Sequence, residues 1–342
     1  MASELESAKS AAAGGAAKAA GQWFAVVRDR VNFSAVDERA KKPVRLLVGG
    51  SGALELMAAL DPSGTKRGRV LERIESAAGW LALDSSTTAL LYYASEIGED
   101  SDLARFAALS VPVFVVERTP LVDDLGASAS TAAPAARPKA GAPATYRVAS
   151  FDPIELRKYL LPDVVHASRH REVALAAALP IFRPVVAAKL TIDCAMNSLK
   201  IAGLSAIADH VPVIGLITGG IASAGDTIAI TVLQMNMLMN LAAAYGKPAG
   251  VARIVELLPV IGGGYGWRAL ARELSGFIPG VGIFVKAAIA YAGTLVVGHA
   301  AAHYYETGTP MAPDKMAALY REASERAKHV ASDVTSRIRK KS

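Results

Sequence analysis

The chain is short of cysteine, of aromatic side chains and of charge. Cys194 is its one cysteine in 342 residues. No intrachain disulfide framework or cysteine zinc site can be assembled from it, and the count fits a reducing compartment. Aromatic residues make up 6%, which suits closely packed small-residue helices better than an aromatic-lined ligand cavity. Charged residues reach only 20% against 52% hydrophobic ones, and the mean hydropathy is +0.30. That is more apolar than an ordinary soluble enzyme, so membrane segments have to be sought. Residues 1–21 are rich in alanine and glycine and lack the apolar core of a secretory leader. Export is therefore not expected, and this stretch reads as a disordered N-terminus.

What is present sorts into zones. Residues 22–124 alternate short apolar runs with helical patches: a strand at 44–48, a helix at 52–60, a mixed segment over 69–83, a strand at 88–93, a helix at 101–109 and a strand at 111–116. Strands alternating with helices predict a small parallel α/β sheet. Residues 125–150 are dominated by Ala, Ser, Pro and Gly and have too little apolar mass to repay ordering, so they read as a flexible linker. From 151 to 310 the pattern is that of an apolar helical domain. The run 227–246 carries no charge, and 287–305 is broken only by His299 and His303. About 20 apolar residues cross a bilayer as a helix. Both runs reach that scale, although a buried bundle helix fits them as well. The fold class expected is thus α/β plus all-α.

Residues 311–342 form a last zone. Met316, Leu319, Tyr320, Ala323, Ala327, Val330, Val334 and Ile338 recur at steps of three and four, one face of an amphipathic helix. That face could dock on a membrane, on a partner or on its own bundle. The formal charge of +6 is concentrated in part here, with Arg321, Arg326, Lys328, Arg337, Arg339, Lys340 and Lys341 against Glu322, Glu325 and Asp333. Such a tail can favour anionic lipid or nucleic acid, or simply aid solubility; of these a nucleic-acid partner is not expected.

The stretch most suggestive of chemistry is "VRLLVGGSGALELMAAL", residues 44–60. An apolar run, a glycine turn and a helix make a phosphate loop when the helix opens with G-K-[ST]. Counted from Gly49, those three positions hold Leu54, Glu55 and Leu56. A glutamate in place of the phosphate-neutralising lysine reverses the sign of the site. Where a guanine-reading N-K-x-D would follow the strand at 111–116 stand Glu117, Arg118, Thr119 and Pro120. Gly49, Gly50, Ser51 and Gly52 are left as a possible weak anion-binding loop. The same residues approximate the G-x-S-x-G elbow of a serine hydrolase, but the next histidine is His166, beyond the linker. No catalytic residue is assigned and no cofactor is implied.

Two histidine pairs at i, i+4, His166/His170 and His299/His303, have a spacing that can hold a metal on one helix face. Arg169 and Arg171 oppose this in the first pair, the second caps an apolar helix, and no metal site is assigned. Asp193, Asp209, Asp226 and Lys286 interrupt oily segments. They read as a polar track or switch, as interhelical hydrogen bonding, or as charges exposed at helix ends.

At 170–308 the sequence resembles a known family. Gln234 and Met235 to Met239 ahead of Tyr245-Gly246, then Pro279, Gly280, Gly282, Thr294 and Gly298, with Tyr305 to Gly308 closing the match, are similar in order and spacing to the bacterial domain of unknown function six-nine-seven. This is a membrane-associated helical domain that follows Era-like GTPase domains. The resemblance implies that residues 22–124 are a degenerate, non-hydrolysing GTPase-like domain. With it goes the expectation of a scaffold or recruitment role at the cytoplasmic membrane, with membrane lipid and a protein partner or a second copy as ligands. If the segments around 211–245 and 276–303 cross as a hairpin, both termini lie on one side, which the basic tail places in the cytoplasm. The alternative is a cytoplasmic helical protein that oligomerises through its apolar faces. Tight magnesium-dependent GTP binding, or hydrolysis at Ser51, would make it an enzyme instead.

Overall fold

A computed structural model of the chain describes residues 29–74, 83–94, 106, 108–118, 134, 136–208, 212–262 and 283–339. Its first regular elements are α1 (Phe33–Lys41), β1 (Arg45–Gly49), α2 (Ala53–Leu60), β2 (Leu71–Arg73), β3 (Thr87–Ala94), β4 (Val113–Arg118) and β5 (Ala144–Val148). The five strands form one sheet in the order β2-β1-β3-β4-β5, every neighbouring pair parallel. Parallel strands are covered on both faces and so read as continuous apolar runs rather than alternations. That is why "LLV" of β1, "ALLYY" of β3 and "VFVV" of β4 are buried almost throughout. In register, Leu47 stands beside Leu90 and Leu90 beside Val113. Leu47, Leu90, Tyr92, Val113 and Val115 share one cluster with Ile74 and Phe106, while α2 packs on β1 and β3.

Helices α3 (Pro153–Tyr159), α4 (Leu161–Ala167), α5 (Glu172–Ala178), α6 (Arg183–Ala208), α7 (Pro212–Ala244), α8 (Val251–Gly262), α9 (Ile283–Thr307) and α10 (Pro313–Arg339) follow. Asp152 caps α3, its carboxylate accepting the Ile154 N–H at 2.7 Å, with Pro153 at the first helical position. A Schellman turn ends α7. Gly246 at φ +75° lets the Lys247 N–H reach the Ala242 carbonyl while its own N–H bonds Ala243.

The chain divides into two compact units. One, the sheet unit, comprises Asp37–Lys189 and Asn240–Pro248; the other, the helical unit, comprises Met1–Val36, Leu190–Met239 and Ala249–Ser342. The α/β-plus-helical class read from the sequence is the class observed. Its details differ in several places. The last part of the expected linker is β5, anchored by Tyr146, which is fully buried and donates to the Asp163 carboxylate of α4 at 2.7 Å. Arg137 holds the other oxygen of Asp163 at 2.5 Å. The helices of 153–178, expected in the helical domain, belong to the sheet unit. The expected helix at 101–109 and the N-terminal tail fall almost wholly or wholly outside the described residues.

In the helical unit α9 is the central element. From Ala288 to Tyr305 none of its residues is exposed. The amphipathic face of α10 supplies part of the cover: Met316, Tyr320, Ala323 and Ala327 pack with Ala288, Tyr291, Ala292 and Leu295. The periodic stripe therefore docks, through Ala327, on its own bundle. Among the described residues no helix is long and apolar enough to cross a membrane.

Candidate functional site

Open parallel sheets bind ligands beyond the carboxyl ends of their strands, where neighbouring strands connect in opposite directions. In the order 2-1-3-4-5 that place lies between β1 and β3. The turn Gly49–Gly52 follows β1 and opens α2, so the sequence puts the glycines at the right edge of the sheet.

Their packing explains why they are glycines. Gly50 has φ +94°, and a Cβ there would stand 2.1 Å from the Tyr93 carbonyl oxygen. A Cβ at Gly52 would stand 2.1 Å from the Tyr93 ring. Tyr93 thus lies directly over the turn, its ring 4.8 Å from that of Phe151 in an edge-to-face contact. The amide of Gly52 and those of Ala53, Glu55 and Leu56 at the start of α2 point inward as well. The Gly52 N–H donates to the Tyr93 carbonyl at 3.2 Å, Ala53 N–H to Gly50, and Glu55 and Leu56 N–H to Gly52. A phosphate loop needs these amides directed at the ligand. Ser51 itself is exposed.

Charge completes the closure. Glu55, at the position of the missing lysine, accepts from Arg118 at the end of β4 at 3.0 Å, and both side chains are half-exposed. Next to it Arg147 of β5 pairs with Glu117 at 3.3 Å. Burial and the Glu55 charge push the Tyr93 phenol up, partly offset by Arg118, so the phenol stays neutral and is no acid–base group near neutral pH. An anion entering here would meet Glu55, and the guanidinium that could receive it is already paired.

The residues of the helical signature separate into three groups. Gln234, Thr294 and Gly298 meet in one region of the helical unit. Gln234 Nε2 donates to Thr294 Oγ1 at 2.9 Å, the Thr294 hydroxyl bonds the Ala290 carbonyl at 2.7 Å, and Ser198 Oγ lies 3.2 Å away. One turn on, a Cβ on Gly298 would stand 2.4 Å from Thr191 Cγ2 and Oγ1. Tyr245 and Gly246 serve the end of α7 in the sheet unit, where the Arg183 guanidinium sits 5.7 Å from the Tyr245 ring. Pro279, Gly280 and Gly282 lie outside the described residues.

The other candidates disperse. His166 is exposed on α4, but the helix ends at Ala167 and His170 follows in a left-handed conformation, φ 63°, after Arg169 at φ 33°. The first pair therefore does not share a helix face. His299 and His303 do lie on α9, and burial pushes the His299 imidazole below its ordinary range. Among the described residues no three His, Cys, Asp or Glu side chains converge as metal ligands. Burial raises the Cys194 thiol to about 11, which keeps it protonated and inert. Asp193 is exposed; Asp209 lies outside the described residues, as do the side chains of Asp226 and Lys286. Sequence reasoning missed Tyr93 and Arg118 as partners of the glycine turn. The one available signal was two tyrosines ending a strand that neighbours a four-residue glycine turn.

No family model matches the chain, and no solved structure matches it. A curated relative, Magnetosome membrane protein 22 of Magnetospirillum gryphiswaldense, is 30% identical over 123 residues, covering 33% of this chain and 63% of the relative. The chain thus spans less than two thirds of the length of the relative it resembles.

Proposed function

We propose that this protein is a non-catalytic, membrane-associated scaffold or recruitment protein, built from a degenerate GTPase-like sheet unit and a helical unit of the domain six-nine-seven type. One observation carries the non-catalytic part: the glycine turn at the sheet's ligand edge is closed by Tyr93 and guarded by the Glu55–Arg118 ion pair. Nucleotide would have to displace a buried ring and expel a carboxylate. The membrane part is supported by the likeness to a protein named as a magnetosome membrane protein. In the helical unit Gln234 hydrogen-bonds Thr294 and Gly298 packs closely on Thr191, so three of the signature residues have structural roles. Lipid and a protein partner, rather than nucleic acid, are the ligands this reading expects, at the cytoplasmic membrane.

A second reading, a helical protein that oligomerises and stays off membranes, is favoured by the burial of α9. Its apolar run is spent on α10 and on its other neighbours within the helical unit, not left for lipid. Fractionation of cells separates the two. Sedimentation with membranes at low salt supports the first reading, and carbonate treatment then distinguishes a surface-bound from an embedded protein. Recovery of all the protein in the supernatant selects the second. The pseudoenzyme reading is tested by equilibrium binding of GTP with magnesium, for which no saturable binding is expected. Tight binding that disappears in Gly50→Ala while the chain still melts cooperatively overturns it.

A further inference from the structure

With the carboxyl edge of the sheet closed, the concavity of interest lies near the opposite edge. A groove of about 420 Å³ opens in the sheet unit where β1 and β2 begin, flanked by the end of α5. The volume is within the range of small-molecule sites. Its lining includes Val44, Val70, Ala174 and Ala177, and the alanines are what leave the space: larger residues on α5 would fill it. Lys42 and Arg69 also line it, both exposed, and neither has an ion-pair partner among the described residues. The nearby carboxylate, Asp84, is already engaged by Ser86 Oγ, the Thr87 N–H and the Arg45 guanidinium, the last at 3.4 Å. Arg171 fixes one flank by donating to the Ser85 carbonyl, directly after the left-handed pair Arg169–His170. Apolar walls with two exposed cations at the rim favour one chemistry over others.

We propose that this groove binds a small amphiphilic anion, its phosphate or carboxylate head held by Lys42 and Arg69 and its short alkyl body lying on the valine–alanine walls. Inorganic phosphate lacks the body and a neutral alkane lacks the head, so both bind more weakly. The inference does not rest on the membrane reading. A free alkyl phosphate and an anionic lipid in a bilayer present the same chemistry, and the test separates these sources.

The full chain is titrated calorimetrically with butyl, hexyl and octyl phosphate below their micellar concentrations, and with inorganic phosphate. One site is expected, its affinity rising about fourfold per added methylene until the groove is filled. Lys42→Glu/Arg69→Glu should lower the octyl phosphate affinity about tenfold or more, while the exposed positions leave the urea midpoint unchanged. Ala177→Leu, which fills the groove without touching the charge, should lower octyl phosphate affinity and spare that of inorganic phosphate. Flotation with phosphatidylglycerol vesicles assigns the source: loss of flotation in the charge-reversal variant makes the ligand a bilayer lipid, and undiminished flotation, or none by the parent chain, makes it a free amphiphile. Affinity independent of alkyl length, or unchanged in both variants, or no binding at all overturns the proposal.

Discussion

The two units solve the same problem, bringing chain segments closer than side chains allow, in different ways. In the sheet unit Gly50 and Gly52 admit backbone carbonyl and aromatic ring of Tyr93, and the hydrogen bonds that close the turn are backbone to backbone. In the helical unit Gly298 admits the side chain of Thr191. A side chain can be trimmed, whereas a carbonyl oxygen and a neighbouring strand cannot move without the sheet. Polar groups follow the same division. At the carboxyl edge of the sheet the ion pairs Glu55–Arg118 and Glu117–Arg147 sit at an exposed rim, while the helical unit buries the neutral groups of Thr294 and Ser198. Neutral hydrogen bonding is the less costly way to place polarity inside a bundle.

This contrast can be broken experimentally, and the largest effect is expected at Gly50. Gly50→Ala meets both a left-handed backbone and a backbone clash, and should cost about 3 kcal/mol or more in urea unfolding. Truncation of Tyr93 should not restore it, because the obstructing atom is a main-chain oxygen. Gly298→Ala should cost about 1–3 kcal/mol, and Thr191→Ala should recover most of that, measured as a favourable coupling in a double-mutant cycle. If Gly50→Ala proved rescuable and Gly298→Ala not, the distinction between backbone-limited and side-chain-limited packing would fail. Removing one member of the part-buried Gln234–Thr294 hydrogen bond, by Thr294→Val or Gln234→Leu, should cost about 1–3 kcal/mol, and the double replacement less than the sum. At the exposed rim, Glu55→Gln should change stability by no more than about 1 kcal/mol, with the difference fading in high salt.

The smallest effect concerns pH. Burial lowers the folded-state pKa of His299 below its ordinary 6.5, so the unfolded chain binds the proton more readily. The associated stability is complete above the unfolded value and is lost as pH falls through the interval down to the folded one. Chemical denaturation between pH 7 and 5 should show that slope, and His299→Asn should flatten it.

Much of this was legible in the sequence, for identifiable reasons. β1, β3 and β4 are doubly covered, so their apolar runs stand out, and Gly49-Gly50 marks where the first of them stops. Helix α10 was readable because its apolar stripe keeps helical spacing up to its buried contact with α9. β5 escaped because Tyr146 and Val148 alone carry its burial, within a stretch otherwise poor in apolar mass. The end of α4 escaped because Arg169 and His170 take left-handed conformations with no glycine to announce them. The glycine turn was recognisable as a turn, but its closure depends on Tyr93, more than forty residues later, and spacing within a local motif cannot report a contact across strands. The apolar segments around 227–246 and 287–305 were ambiguous for a physical reason. A helix apolar on every side satisfies lipid and protein neighbours alike, and only its neighbours decide.

The discontinuity of the sheet unit has a consequence for synthesis. Its second segment, Asn240–Pro248, contributes the Arg39 contact to Asn240 at 3.3 Å and the Tyr245 ring beside Arg183. Domains emerging from the ribosome fold as their last required residue appears. Here that residue lies some hundred positions after β5 ends, with part of the helical unit, Leu190–Met239, translated in between. Neither unit can then be finished while the other is still wholly unmade. Fragments cut at the end of β5 or after Lys189 would carry every strand yet leave Arg39, and in the longer fragment Arg183, without the contact from Asn240–Pro248. The order of translation, not only the final packing, makes the two halves one protein.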